Sequence, residues 1–274
     1  MIFLKKLFIM SVGCAAVFVF FSVAWGGQTI AVSSVLYPPL VFDEEVPDLG
    51  KGMLRDIVTE AFRAEGLDVE YSIIPMSRNV WSVLSKVGDC CLGAMEWFDR
   101  SGLGDKVEPV DIIKLEFKAF YKVENFPDGI DYERLEDLQG YSVGNVRGSS
   151  SQRTLDAAGL ETDLVRNIRL NFLKLDADRF DFAISFYVTG EYLIRDLFYG
   201  HEAKFSYIDK SIQQMRLSVI FQKRNRALKN TFMKGLETIA RNGVYYAILK
   251  RYHMSGKVSE KIIPENLRGI VKLK

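Results

Sequence analysis

The sequence predicts an α/β protein of two lobes, each a sheet flanked by helices, and three features lead there. From residue 29 onward, apolar strand-like runs alternate with segments of helical spacing, the pattern of β-α-β units. One long extended segment, residues 112–123, interrupts the alternation, and a second alternating series follows it. Once an N-terminal leader is set aside, roughly 250 residues remain, more than most single cores hold.

Residues 1–26 read as a secretory signal peptide. Lys5 and Lys6 precede an apolar run over residues 7–25, and Ala24-Trp25-Gly26 offers a small-x-small cleavage site. The run is also long enough to span a bilayer, so an uncleaved anchor is the alternative. Cys14 lies in the middle of the run rather than at its end, which speaks against a lipidated cysteine. Removal of Lys5 and Lys6 shifts the formal charge of the chain from +1 to −1, and a near-neutral chain argues against a nucleic-acid partner. A periplasmic location follows from the leader.

In the first series, residues 29–36 form a strand that Tyr37-Pro38-Pro39 breaks. Residues 53–64 carry helical spacing through Met53, Ile57, Ala61 and Phe62 and stop at Gly66. Residues 67–74 alternate as a strand, residues 77–87 form a helix with Ser77 as N-cap, and residues 90–95 suit a strand buried on both faces. A loop then carries Trp97, Phe98 and Arg100. Residues 112–123 are the crossing between lobes. The second series has strands at residues 141–146, 164–168 and 180–186, with helices at residues 149–158 and 170–178. A strand at residues 215–222 and helices at residues 227–241 and 244–252, parted by Asn242-Gly243, return to the first lobe. The expected lobes are residues 27–112 joined by residues 211–274, and residues 113–210.

Catalytic chemistry finds little support. Outside the leader only the adjacent Cys90 and Cys91 remain, so no disulfide framework can be read. The two histidines, His201 and His253, stand apart, which leaves neither a zinc set nor a Ser/His pair, and no metal or cofactor is expected. What does stand out is the loops after strands. In a parallel sheet they share one edge, which gathers Tyr37, Arg78 and the segment Trp97 to Arg100. A guanidinium flanked by Trp97 and Phe98 suits a planar anion. Gly148-Ser149-Ser150 opens a helix whose free N–H groups attract an anion, with Arg147 alongside; the competing reading is simple N-capping by serine. Arg78 has a rival role in a surface ion pair. Tyr37, before two prolines, is poorly explained by packing alone.

Set in order, several motifs resemble the bacterial extracytoplasmic solute-binding proteins of family 3, receptors for polar amino acids. YPPLVF followed by GMLRDIVTEAF is similar to that family's first strand, aromatic loop and first helix, and PMSRNVWSVLSKVGD to its Pro-x-x-Arg helix. EDLQGYSVGNVRGSS, RFDFAISFYVTGEYLI and the closing LSVIFQKRNRALKNTFMKGLETIARNGVYYAILKRY are similar to its later strands and helices. The resemblance implies a type II periplasmic-binding fold whose lobes close about a two-strand hinge on a small solute. It implies that Arg100 clamps a carboxylate, although Trp97 stands where the family commonly has threonine. Phe186 stands where the family has the aspartate that holds the α-amino group, which Glu96, or cation–π contact with Trp97, would have to replace. The expected function is capture of a carboxylate-bearing solute, an amino acid or related organic acid, for an ABC permease or a membrane sensor, by a monomer that is not an enzyme. A signalling module is the alternative. A dehydratase-like activity with Glu96 as acid is weaker, since no paired acid or nucleophile stands near it.

Overall fold

The computed structural model describes residues 28–273 apart from 86, 254, 255 and 257, so the expected signal peptide lies outside the described residues. The first elements are β1 (Thr29–Ser34), α1 (Met53–Arg63), β2 (Asp68–Ile73), α2 (Met76–Ser82), β3 (Cys90–Gly93) and α3 (Met95–Arg100). α1 buries Met53, Leu54, Ile57, Val58, Ala61 and Phe62, the stripe expected of a helix packed on a sheet. All four residues of β3 are buried, as befits a strand covered on both faces.

Two expectations are corrected in this stretch. α2 starts at Met76 after Pro75 and ends at Ser82, short of the expected residue 87. Its last turn is lost because the Ser82 carbonyl accepts from the amides of Val87 and Gly88, five and six residues on, which draws the chain out of the helix. The loop expected to carry Trp97 and Arg100 is the helix α3, which buries Phe98. Six residues are too few for a helical period to show in the sequence.

The long strand is β4 (Val107–Lys122), which starts before the expected residue 112 and runs through Pro109. Proline is tolerated because β4 pairs there with one neighbour; its other partners begin only at Phe117. The second series follows: β5 (Val143–Val146), α4 (Ser150–Ala157), β6 (Thr162–Val165), α5 (Ile168–Asp176), β7 (Phe182–Phe186), α6 (Tyr187–Leu197) and a short β8 (Phe205–Tyr207) that the sequence did not disclose. α5 begins two residues earlier than expected because Asn167 caps it, accepting from the Leu170 amide at 2.8 Å. The chain returns in β9 (Gln213–Gln222), α7 (Arg226–Asn242) and α8 (Val244–Tyr252), with Gly243 at φ 91° between the helices. That left-handed conformation is one glycine adopts without steric cost.

One nine-stranded sheet has the order β2-β1-β3-β9-β4-β7-β5-β6, with β8 on β4. β1 pairs parallel with β2 and β3, and β5 with β6 and β7, so each half is a parallel β-α-β sheet. The middle is antiparallel: β9 pairs with β3 and β4, and β4 with β7. β4 and β9 run from one half into the other. Their register shifts between Asp111 and Ile113, so Ile112 is bulged out of the ladder. The Ile112 carbonyl is taken up by the Tyr245 hydroxyl of α8 at 2.7 Å, and the neighbouring Asp111 carbonyl by Asn266 at 3.1 Å. Beyond α8 the chain crosses behind this pair of strands through short turns at Glu260–Ile262 and Glu265–Leu267, burying Ile262, Ile263 and Leu267. Among the described residues, no helix is long and apolar enough to cross a membrane.

Candidate ligand-binding cleft

Parallel strands in both halves end at a shared crevice of about 120 Å³. β1 ends in Ser34, and Val35 and Tyr37 follow it; after β3 come Trp97 and Arg100 of α3; after β5, Gly148, Ser149 and Ser150; and β7 ends in Phe186. This is the carboxyl edge at which open α/β sheets take their ligands. The floor is Phe117 of β4 with Met215 and Leu217 of β9, where the two halves join. One water-sized group needs about 10–15 Å³, so the cavity has room for roughly ten such groups, the size of a small metabolite.

Six of the nine residues singled out from sequence therefore line this cavity: Tyr37, Trp97, Arg100, Ser149, Ser150 and Phe186. Arg78, Glu96 and Arg147 are exposed and lie outside the lining. On α3, Trp97 and Arg100, three apart, reach the cavity, whereas Glu96, four residues before Arg100, is exposed and does not line it.

The aromatic wall joins the halves. Tyr37 is held in a tight turn whose carbonyl accepts from Leu40 and Val41 at 2.8 and 2.9 Å. Its ring meets Phe186 edge-on at 5.8 Å, and Phe186 lies 4.1 Å from Phe117. Burial raises the Tyr37 phenol above its ordinary pKa, so it stays a protonated donor. The Trp97 ring rests on Gly93, where an added Cβ would come within 3.2 Å of it.

Arg100 is the one charged residue of the lining, and it has neither ion pair nor hydrogen bond among the described residues. The start of α4 borders the same cavity from the other half. The Ser149 hydroxyl does not cap that helix. It bonds instead to Asn145 Oδ1 at 3.1 Å and to the Ser151 hydroxyl at 2.9 Å, while Ser151 also bonds Asn145 Oδ1 at 3.1 Å. Buried Asn145, which sequence reasoning missed, thus draws both hydroxyls inward and leaves the first-turn amides of Ser150 and Ser151 without a side-chain cap. Its only sequence signal is its place at the end of a strand before a Gly-Ser turn. A guanidinium from one half and a helix N-terminus from the other give the cavity two anion-attracting groups.

No family model matches the chain, and no curated protein matches it in sequence. Solved structures do match its shape. A histidine kinase sensor domain with similarity to periplasmic binding proteins is 20% identical with a TM-score of 0.64, the match covering 82% of this chain and 96% of the other. An ancestral arginine-binding protein bound to arginine is 19% identical with a TM-score of 0.62, covering 82% and 98%. The GluR0 ligand-binding core in complex with L-glutamate is 12% identical with a TM-score of 0.67, covering 83% and 99%. At these identities the likeness is one of architecture, and it agrees with the sheet order and the strand-end cleft: the chain has the two-lobed fold of the periplasmic-binding proteins.

Proposed function

We propose that the protein is an extracytoplasmic binding protein that captures a small carboxylate-bearing solute, an amino acid or related organic acid, between two closing lobes. The observation that carries this reading is Arg100, a guanidinium without a partner among the described residues, in an otherwise uncharged cavity that the open N-terminus of α4 also lines. A carboxylate held by both would tie one half of the sheet to the other, and a ligand that touches both lobes favours the closed form by its differential affinity. In this reading residues 27–112 and 211–274 form one lobe and residues 113–210 the other, and β4 and β9 are the hinge. Tyr37, Trp97 and Phe186 cover the body of the solute. Arg78 and Arg147, exposed near the lining residues Met76 and Gly148, add positive potential that attracts the anion.

The protein acts as a monomer that delivers its solute to an ABC permease. The likeness to a histidine kinase sensor domain supports a second reading, in which the closed form is reported to a membrane sensor instead. Cross-linking the loaded protein to its native membranes separates the two by what it captures, a permease or a kinase.

The test of binding is a thermal-shift screen of the purified protein against amino acids and organic acids, since a ligand that binds only the folded state raises the melting temperature. A carboxylate is expected to raise it in the wild type and not in Arg100→Ala. A ligand whose affinity survives that substitution would overturn the clamp.

A further inference from the structure

We infer that the solute is a monocarboxylate without an α-ammonium group, built on an apolar body, such as the α-keto acid of a branched or aromatic amino acid. The inference rests on the reading of the cleft as a carboxylate site and narrows it to a class.

The cavity supplies only positive electrostatics. Arg100 and the start of α4 both favour negative charge, and no carboxylate is found among the lining residues. The two acids of α3, Glu96 and Asp99, are exposed and are not among the lining residues. The side chains there that accept hydrogen bonds are neutral: the hydroxyls of Ser34, Tyr37, Ser149 and Ser150 and the thioethers of Met76 and Met215. Of these, Ser149 is already engaged with Asn145 and Ser151, and Ser150 leans on the Met215 sulfur at 3.7 Å. An ammonium brought into this space would shed its hydration, meet no counter-charge and lie close to a guanidinium, which is unfavourable on each count. A ketone or hydroxyl at the same carbon carries no such penalty, and the protonated Tyr37 phenol is a suitable donor to it.

The remainder of the lining describes the body of the molecule. Leu40, Val41, Leu54, Leu92, Phe117 and Leu217 form an apolar floor and wall, closed by the Tyr37 and Phe186 rings. Phe186 decides the matter locally. It stands at the N-cap of α6, a position where aspartate is favoured, and it presents a ring there instead.

Matched pairs test this by calorimetric titration: L-leucine against its α-keto acid, and L-phenylalanine against phenylpyruvate, with the uncharged amides of the two keto acids as controls. The keto acid is expected to bind more tightly than its amino acid by at least about tenfold. An amino acid that binds as tightly as its keto acid overturns the class while leaving the carboxylate reading intact. Binding of the keto-acid amides as tight as that of the keto acids, or no binding by any carboxylate, overturns the carboxylate reading and the class together. Phe186→Asp gives an independent check. It is expected to reverse the preference within each pair, and a folded variant that keeps the keto-acid preference counts against an ammonium-excluding role for this position.

Discussion

The two faces of β4 lie in opposite electrostatic surroundings. Lys114, Lys118 and Lys122 share one face by strand alternation, and all three are buried and paired. Lys114 meets Glu265 at 3.1 Å; Lys118 meets Glu116 at 3.6 Å and the Asp209 carbonyl; Lys122 meets Glu124 and Asp178 at 2.7 and 2.8 Å. The other face turns Phe117 to the cleft, where Arg100 has no partner among the described residues. Each of these three lysines is neutralised within the fold, which is the condition for keeping it buried. In the cleft one has been left open. Cations on the rear face serve the architecture, and the one in front is available to a ligand.

The largest effect expected from this contrast is on binding. Arg100→Ala should weaken carboxylate binding about a hundredfold, the loss of one charge-assisted contact, by calorimetry. The melting temperature of the unliganded protein should stay the same, because among the described residues the guanidinium makes no hydrogen bond or ion pair; a clear drop would dissolve the distinction. The next test acts at the bulge. Tyr245→Phe strands the buried Ile112 carbonyl and should lower unfolding free energy by about 1–3 kcal/mol in urea titration. Its effect on ligand affinity measures how far the rear of the molecule communicates with the front.

Acidification sharpens the contrast further. Burial, only partly opposed by the bond to the Leu249 carbonyl, lowers the pKa of His253 at the end of α8. The unfolded chain therefore protonates first, so stability is full above about pH 6.5 and declines as pH falls through the lower folded value. His253→Gln should flatten that decline in a melting series run from pH 7 to 5. The smallest effect belongs to Asp178, whose carboxyl is held below its usual range chiefly by its bond to Lys122. That stabilisation is present above about pH 4 and is lost on further acidification. Asp178→Asn preserves the left-handed backbone at φ 53° and, with the carboxylate more than half exposed, should cost below about 1 kcal/mol. A larger loss would mean that surface pairing at the end of β4 governs the buried lysine more than its burial suggests.

Much of this arrangement was legible in the sequence. Alternating strands and helices fix where the strand ends fall, and strand ends carry Tyr37, Trp97, Arg100, Ser149 and Ser150 to the cavity. Phe117, Met215 and Leu217 were not legible as lining, because they sit inside strands, and only the pairing of β4 with β9 brings them beneath the cleft. The place of Glu96 outside the lining was not legible either, because its spacing of four from Arg100 on α3 would put the two on one face. Asn145 was hidden for another reason. Its work is done through hydrogen bonds to serines four and six residues on, and such contacts leave no periodic trace. The segment behind β4 and β9 was missed because its turns are too short to show a period, although Ile262, Ile263 and Leu267 mark it as a packed stretch of chain.

The rest of Trp97 on Gly93 has an optical consequence. The chain has three tryptophans; Trp25 falls in the expected leader, and Trp81 on α2 is 53% exposed, away from the cavity. Trp97 alone among the described tryptophans borders the ligand space. Solute entry would exchange water at the edge of that indole for an organic molecule, and lobe closure would shield it further. With Trp81 replaced by phenylalanine, the emission of one native residue would report occupancy directly, and the protein would serve as its own sensor without an attached dye.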